Sequence, residues 1–183
     1  MGENSLDLSL VFRALTFAAR KHRTGKRKDH ETPYINHPLE VTEILVTAGN
    51  IQDPEVLAAA ALHDTIEDTE TTEDELRTTF GDRVLSLVME CTDDKRLPKE
   101  ERKRLQVVHA PEKTPGAKAI KIADKISNMR DITERPPSDW DHERKVKYIK
   151  WADEVFQGLK GVNAGLDKLF EQTRDAAARK FGS

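Results

Sequence analysis

Apolar residues recur three and four positions apart along almost the whole chain, the spacing of one helical face. Leu8, Val11, Phe12, Leu15 and Ala19 trace a first helix whose pattern fails at Arg23-Thr24-Gly25. The amphipathic stretch from Ser5 to Arg13 reads as the start of this helix, because Glu3 and Asp7 are foreign to a transit peptide. A polar, basic loop runs to Pro33. Pro38 then suits the first turn of a second helix, with Val41, Ile44, Leu45 and Ala48 inward and Gly49 at its end. Asp53-Pro54 supplies a carboxylate for free backbone N–H groups and then a residue with none to satisfy. The helix it opens runs through the apolar Val56–Leu62 and is expected to carry HDTIED at 63–68.

Thr71 with Asp74, or Thr72 with Glu75, has the form of a capping box for a short helix ending near Gly81. Val84, Leu85, Leu87 and Val88 mark the next, and Pro98 opens a charged one over Lys99–His109. Thr114-Pro115 starts a helix with Ile120, Ala123, Ile126 and Met129 inward. Pro136-Pro137 breaks the chain, Ser138 with Asp141 caps a helix through Gly158, and a last helix covers Val162 to Phe181. Strand-like alternation is missing, so the expected fold class is all-α, one domain over 1–183 with short loops.

Composition narrows the partners. Of 183 residues 34% are charged and 37% hydrophobic, so the apolar residues must be gathered on faces. The net charge of -3 excludes nucleic-acid binding by bulk electrostatics, though a local basic cluster could still hold a phosphorylated small molecule. No apolar run approaches the ~20 residues that span a bilayer. The single cysteine, Cys91, forbids an internal disulfide, and a reducing, cytoplasmic setting is expected.

One stretch conflicts with its surroundings. Behind Val56–Leu62 follow His63, Asp64, Glu67 and Asp68, and burying such charge beside a core is costly unless something offsets it. In one helix, spacings of three and four let all four side chains converge on one volume. Taken alone, the cluster is most simply a solvated helix end. Two other segments shift the balance. Tyr34-Ile35-Asn36-His37-Pro38 fixes a histidine at a rigid helix entrance, where a capping role is the plain alternative. Asp124 sits among apolar positions with Asn128 one turn on, where a buried salt bridge to Lys121 or Lys125 is the plain alternative.

The order His37, His63-Asp64, Asp124 resembles the H…HD…D pattern of HD-domain metal-dependent phosphohydrolases. RKD at 27–29, PYINHP at 33–38, HDTIED at 63–68, FGDRV at 80–84, TDDK at 92–95, LPKEERKRLQ at 97–106 and KIADKISNMRD at 121–131 narrow the likeness. They resemble the hydrolase domain of Rel/SpoT alarmone enzymes, above all the stand-alone small alarmone hydrolases related to the metazoan SpoT homologue. The likeness runs from about Leu8 to about Gly161.

The resemblance implies Mn2+-dependent removal of the 3′-pyrophosphate of guanosine tetra- or pentaphosphate. With no synthetase domain after Ser183, hydrolysis alone is expected. By residue type, two imidazoles and two carboxylates suit a divalent first-row ion without choosing among Mn, Fe and Zn. Ligation is expected from His37, His63, Asp64 and Asp124, with Glu67 and Asp68 one turn deeper to orient or deprotonate water. The resemblance places Arg27 and Lys28 at the nucleotide base, and Lys99, Asn128, Arg144 and Tyr148 at phosphate, ribose or nucleotide. For Arg144 and Tyr148 an ordinary amphipathic helix accounts for the sequence equally well. Asp29-His30-Glu31-Thr32-Pro33 departs from relatives, which carry a glycine before PYI, so this loop's path stays open, as does metal binding by His30. Trp140 and Trp151 read as core or subunit-contact residues. Removal of the 2′-phosphate of NADPH in the same site, and a catalytically silent nucleotide-binding module, are the competing functions; oligomeric state is left open, a homo-oligomer included.

Overall fold

A computed structural model describes residues 8–182, so the part of the amphipathic N-terminus before Leu8, with Glu3 and Asp7, lies outside the described residues. The elements are α1 (Leu8–Lys21), α2 (Asn36–Thr47), α3 (Pro54–Leu62), α4 (Thr65–Asp68), α5 (Glu73–Phe80), α6 (Asp82–Cys91), α7 (Lys99–His109), α8 (Pro115–Glu134), α9 (His142–Leu159) and α10 (Ala164–Phe181). A short 3-10 turn, Ala110–Glu112, joins α7 to α8. Among the described residues the β contacts reduce to an isolated bridge between Lys26 and Pro33. The all-α expectation is met.

Helix α3 is the axis of the packing. Every residue from Val56 to Leu62 is buried, as a helix apolar all round must be, and α1, α2, α6 and α8 pack around it. Its run of four alanines lets these neighbours approach closely. Its start is as expected: Asp53 accepts from the backbone of Glu55 and Val56, with Pro54 next in line. On the far side, α8 lies against α2, α6, α9 and α10. Gly165 at the start of α10 allows that helix to touch α2, since a Cβ there would lie 2.0 Å from the Ala48 carbonyl oxygen. Gly165→Ala is therefore expected to lower the melting temperature by several degrees, on the order of 1–3 kcal/mol, as overpacking does. A thermal melt with unchanged midpoint would count against this contact.

Two local expectations are corrected and one open alternative is resolved. The buried side of α1 is Val11, Ala14 and Ala18; Leu8 and Phe12 are 53% and 63% exposed, and Ala19 also faces out. Small alanines face α3 because close helix approach favours them over bulk. Of the two proposed capping pairs it is Thr72 that accepts from the Glu75 N–H. The helix after Pro136-Pro137 is capped by Asp141, which accepts from the Arg144 N–H at 2.7 Å, so it starts after Asp141 and not at Ser138.

Candidate active site

The helix carrying Val56–Leu62 does not continue through HDTIED. It ends at Leu62, and the four-residue α4 resumes after His63-Asp64. Side chains cause the break. Thr65 Oγ1 donates to the Leu62 carbonyl at 2.7 Å and His63 Nδ1 to the Ala60 carbonyl at 2.8 Å, taking acceptors at the helix end. His63 is thereby turned inward, Glu67 stays half-buried at the same level as Asp64, and Asp68 goes towards solvent. The two acids are not deeper than the dyad, as sequence spacing implied, and Asp68 is nearer the mouth of a cavity.

His37 comes from the first turn of α2 and Asp124 from the middle of α8, and both reach the His63-Asp64 turn. His37 Nε2 lies 3.3 Å from Asp124 Oδ1 and 3.6 Å from Asp64 Oδ2. His63 Nε2 lies 3.3 Å from Asp64 Oδ1 and 4.0 Å from Asp124 Oδ1. Ligand atoms of His37, His63 and Asp124 all fall within 4.8 Å of one another, and Asp64 turns one oxygen to each imidazole.

The tautomers follow from the outer partners. A carbonyl only accepts, so His63 carries its proton on Nδ1, and its buried Nε2 has no hydrogen-bond partner. His37 Nδ1 faces Ser127 Oγ at 2.9 Å, and Ser127 in turn donates to Glu40 at 2.8 Å, so His37 Nδ1 is the donor there. Both Nε2 lone pairs therefore point at carboxylates. Two lone pairs and two anions converging in a buried volume is repulsive without a cation, and these donors fit a dication.

The charge states agree. Burial opposes ionisation of Asp64, and its carboxyl is held down at about 2 only by positive charge at the His63 and His37 positions, with the Tyr34 hydroxyl donating; with both imidazoles neutral that charge has to come from a cation. Burial likewise opposes charge on Asp124, and Lys125 and Lys121 overcome it, leaving that carboxyl well below its ordinary range. Burial lowers His37, favouring the neutral imidazole a metal needs. Glu67 is raised, by burial first and by the Asp64 charge next.

Around this centre lies a cavity of about 340 Å³ lined in part by Tyr34, Glu67, Asp68, Arg102, Lys121 and Lys125. It shares Lys28, Asp93, Arg102, Gln106, Tyr148 and Trp151 with a wider cleft of about 660 Å³. Arg27 and Asn128 line the inner part and Lys99 and Arg144 the outer, so each nucleotide contact proposed from sequence borders this continuous space. Arg27, however, has no open face for a base. It is buried, with Nε bonded to Asp131 at 2.7 Å, one terminal nitrogen to Asn128 Oδ1 at 2.8 Å, and its plane 5.4 Å from the Tyr34 ring. Asn128 also donates to Asp124, so it links Arg27 to the His37, His63 and Asp124 cluster. Lys28 sits 5.3 Å from Trp140 and 5.7 Å from Tyr148. Desolvation, then the Arg27 charge, lowers its ammonium to about 8.

The loop before PYI is held by its own side chains. Asp29 accepts from the N–H groups of Glu31 and Thr32, and His30 adopts a left-handed φ of 64°. His30 is exposed on the outer cleft and takes no part in the His37, His63 and Asp124 cluster.

Several site residues were not singled out from sequence. Tyr34 donates from one hydroxyl that lies 2.7 Å from both Asp64 and Asp68, tying the metal cluster to the acid pair. Trp140 and Trp151 line the outer cleft, and Arg144 stacks 4.3 Å over the Trp140 ring. Tyrosine in PYINHP was readable as a signal; Arg102 and the tryptophans were not, because helix packing alone aims them inward.

The HD domain family pattern matches residues 14–161. The chain is 52% identical over 167 residues to the Homo sapiens guanosine-3′,5′-bis(diphosphate) 3′-pyrophosphohydrolase MESH1, covering 88% of this chain and 93% of that protein. The Xenopus tropicalis MESH1 is 51% identical over 164 residues, covering 89% and 92%. A solved structure described as a metazoan ortholog of SpoT that hydrolyzes ppGpp superposes with a TM-score of 0.87 at 43% identity, covering 90% of this chain and 93% of that one. The chain belongs to the HD-domain family, in the branch of these MESH1 relatives.

Proposed function

We propose that this protein is a metal-dependent guanosine-3′,5′-bis(diphosphate) 3′-pyrophosphohydrolase, releasing pyrophosphate and GDP from the tetraphosphate, or GTP from the pentaphosphate. One observation carries the reading: the unpartnered, buried His63 Nε2 facing His37, Asp64 and Asp124 beside the Glu67-Asp68 pair. His37, His63, Asp64 and Asp124 are the proposed ligands of one Mn2+ per chain; the choice of manganese over iron or zinc follows the family resemblance. When bound, the ion would lower the pKa of a water towards ~7 and stabilise charge on phosphoryl oxygens.

The chain's own residues do the rest. Glu67 and Asp68 line the cavity, Glu67 held by the Asp93 N–H at 3.2 Å and Asp68 by Tyr34 at 2.7 Å and Lys95. They are placed to take the water proton and to return one to the leaving ribose oxygen. The reaction forms a bond from the water oxygen to the phosphorus attached at the 3′-oxygen and breaks that P–O3′ bond. Lys28, Lys99, Arg144 and Tyr148, with Arg27 and Asn128 behind them, line the space for the nucleotide. The substrate is a small nucleotide, and the single, unpaired Cys91 supports a reducing, cytoplasmic setting. No helix among the described residues is long and apolar enough to cross a membrane.

Purified protein with Mn2+ is expected to release pyrophosphate from ppGpp and to stop when the metal is chelated; no release at any divalent ion would sink the reading. The 660 Å³ outer cleft also has room for the second half of a dinucleotide, which keeps NADPH as an alternative substrate. Comparing kcat/KM for both on one preparation ranks them.

A further inference from the structure

Lys121 and Lys125 lie one turn apart on α8 and both line the inner cavity, although they are only 5% and 3% exposed. Lys125 Nζ is 3.0 Å from Asp124 Oδ2, and Lys121 Nζ is 3.9 Å from the same oxygen. Among the described residues no second carboxylate comes within ion-pair range of either. Their remaining partners are neutral: the Cys91 carbonyl at 3.3 Å from Lys121, and the Trp151 ring 4.6 Å from Lys125.

Two buried ammonium groups against one carboxylate are out of balance, since a buried charge is tolerated only when it is compensated. The carboxylate is moreover divided, because its Oδ1 faces His37 and His63. Neighbouring acids lie outside ion-pair range of both lysines and face other groups: Asp64 and Asp68 share the Tyr34 hydroxyl, Asp68 also pairs with Lys95, Glu67 accepts from the Asp93 N–H, and Asp93 from Gln106. A dication at the cluster would add positive charge to the same cavity. The missing partner is an anion that arrives from solvent.

We propose that Lys121 and Lys125 form a diphosphate clamp, gripping the non-bridging oxygens of the group that is cleaved and released. This rests on the hydrolase reading above. As water attacks phosphorus and the 3′-oxygen departs with a proton, the diphosphate keeps its place on the two ammonium groups. A substrate with two adjacent phosphoryl groups is then favoured over one presenting a single phosphate, because only the former engages both lysines.

The test uses Lys121→Met and Lys125→Met, with Lys125→Arg as the conservative variant. Mn2+ affinity, binding of inorganic pyrophosphate to the Mn-loaded and desalted protein, and ppGpp turnover are measured for each. Wild type is expected to bind pyrophosphate. Each Met variant should weaken that binding at least about tenfold, the scale of a charge-assisted hydrogen bond, while Mn2+ affinity stays the same or tightens. Lys125→Arg should restore part of it. Lys121→Met, which leaves Asp124 its closer lysine, should melt no lower than wild type without metal. Met variants that bind pyrophosphate as wild type does, or that lose metal and thermal stability together, overturn the clamp. A wild type that binds pyrophosphate through these lysines yet never cleaves ppGpp overturns the hydrolase reading instead.

Discussion

Asp124→Asn is expected to leave a protein without measurable Mn2+ binding, with kcat/KM on ppGpp reduced on the order of 10⁴-fold, and less stable even with no metal present. The first two effects come from losing an anionic donor that faces both imidazoles, His37 at 3.3 Å and His63 at 4.0 Å. The third comes from stranding Lys121 and Lys125, whose shared carboxylate is gone; removing one partner of a buried pair costs roughly 3–5 kcal/mol. The stability difference has a pH signature. The folded Asp124 carboxyl lies well below its usual range, through the charges of Lys125 and Lys121 that outweigh its burial. A depressed folded pKa contributes stability that is present above the unfolded value of ~3.9 and is lost as pH falls through the folded value. The gap between metal-free wild type and Asp124→Asn should therefore be full at neutral pH and shrink only in strong acid. Denaturant melts from neutral pH downward check this. A variant as stable as wild type at neutral pH, with Mn2+ still bound, removes Asp124 from both roles.

How much of this was readable in the chain differs between elements for physical reasons. Helix starts were legible where a side chain itself makes the cap, as at Asp53-Pro54, because the chemistry is local. The face of α1 was misread because the burial of Ala14 and Ala18, with Phe12 left exposed, is decided by how closely α1 can approach α3. Hydrophobicity alone ranks Phe12 above alanine; helix packing reverses the order. The convergence of His37, His63 and Asp124 was anticipated from the order of motifs, and the structure brings them within 4.8 Å. The break at His63-Asp64 was not anticipated, since it depends on Thr65 and His63 bonding carbonyls of the preceding turn. That break decides the depth of Glu67 and Asp68. Lys121 and Lys125 were weighed as salt-bridge partners of Asp124, and both fill that place; that they also border the cavity needed the packing of α8 against α9.

The same break separates the two acids and leads to the second large effect. Asp68 is tied from both sides, by Tyr34 at 2.7 Å and by the Lys95 ammonium, at the exposed edge of the cavity. Glu67 is more enclosed, accepts from the Asp93 N–H at 3.2 Å, and has Arg102 only at 3.7 Å. Burial and the Asp64 charge raise its carboxyl above the ordinary glutamate value, towards the range in which a carboxylate is a better proton acceptor. Glu67 is thus the stronger candidate for the base, with Asp68 orienting. Glu67→Gln should keep Mn2+ binding, because it removes no proposed ligand, while kcat falls about 10³-fold, within the usual span for general-base catalysis. Asp68→Asn should cost less, roughly 10–10² in kcat, by loosening a positioned group. The wild-type acid limb of kcat against pH should rise through a value above that of a free glutamate, survive in Asp68→Asn and vanish in Glu67→Gln. If the limb instead vanishes in Asp68→Asn and persists in Glu67→Gln, the proton passes through the outer acid, and the enclosure of Glu67 serves only to shape the cavity that Arg102 also lines.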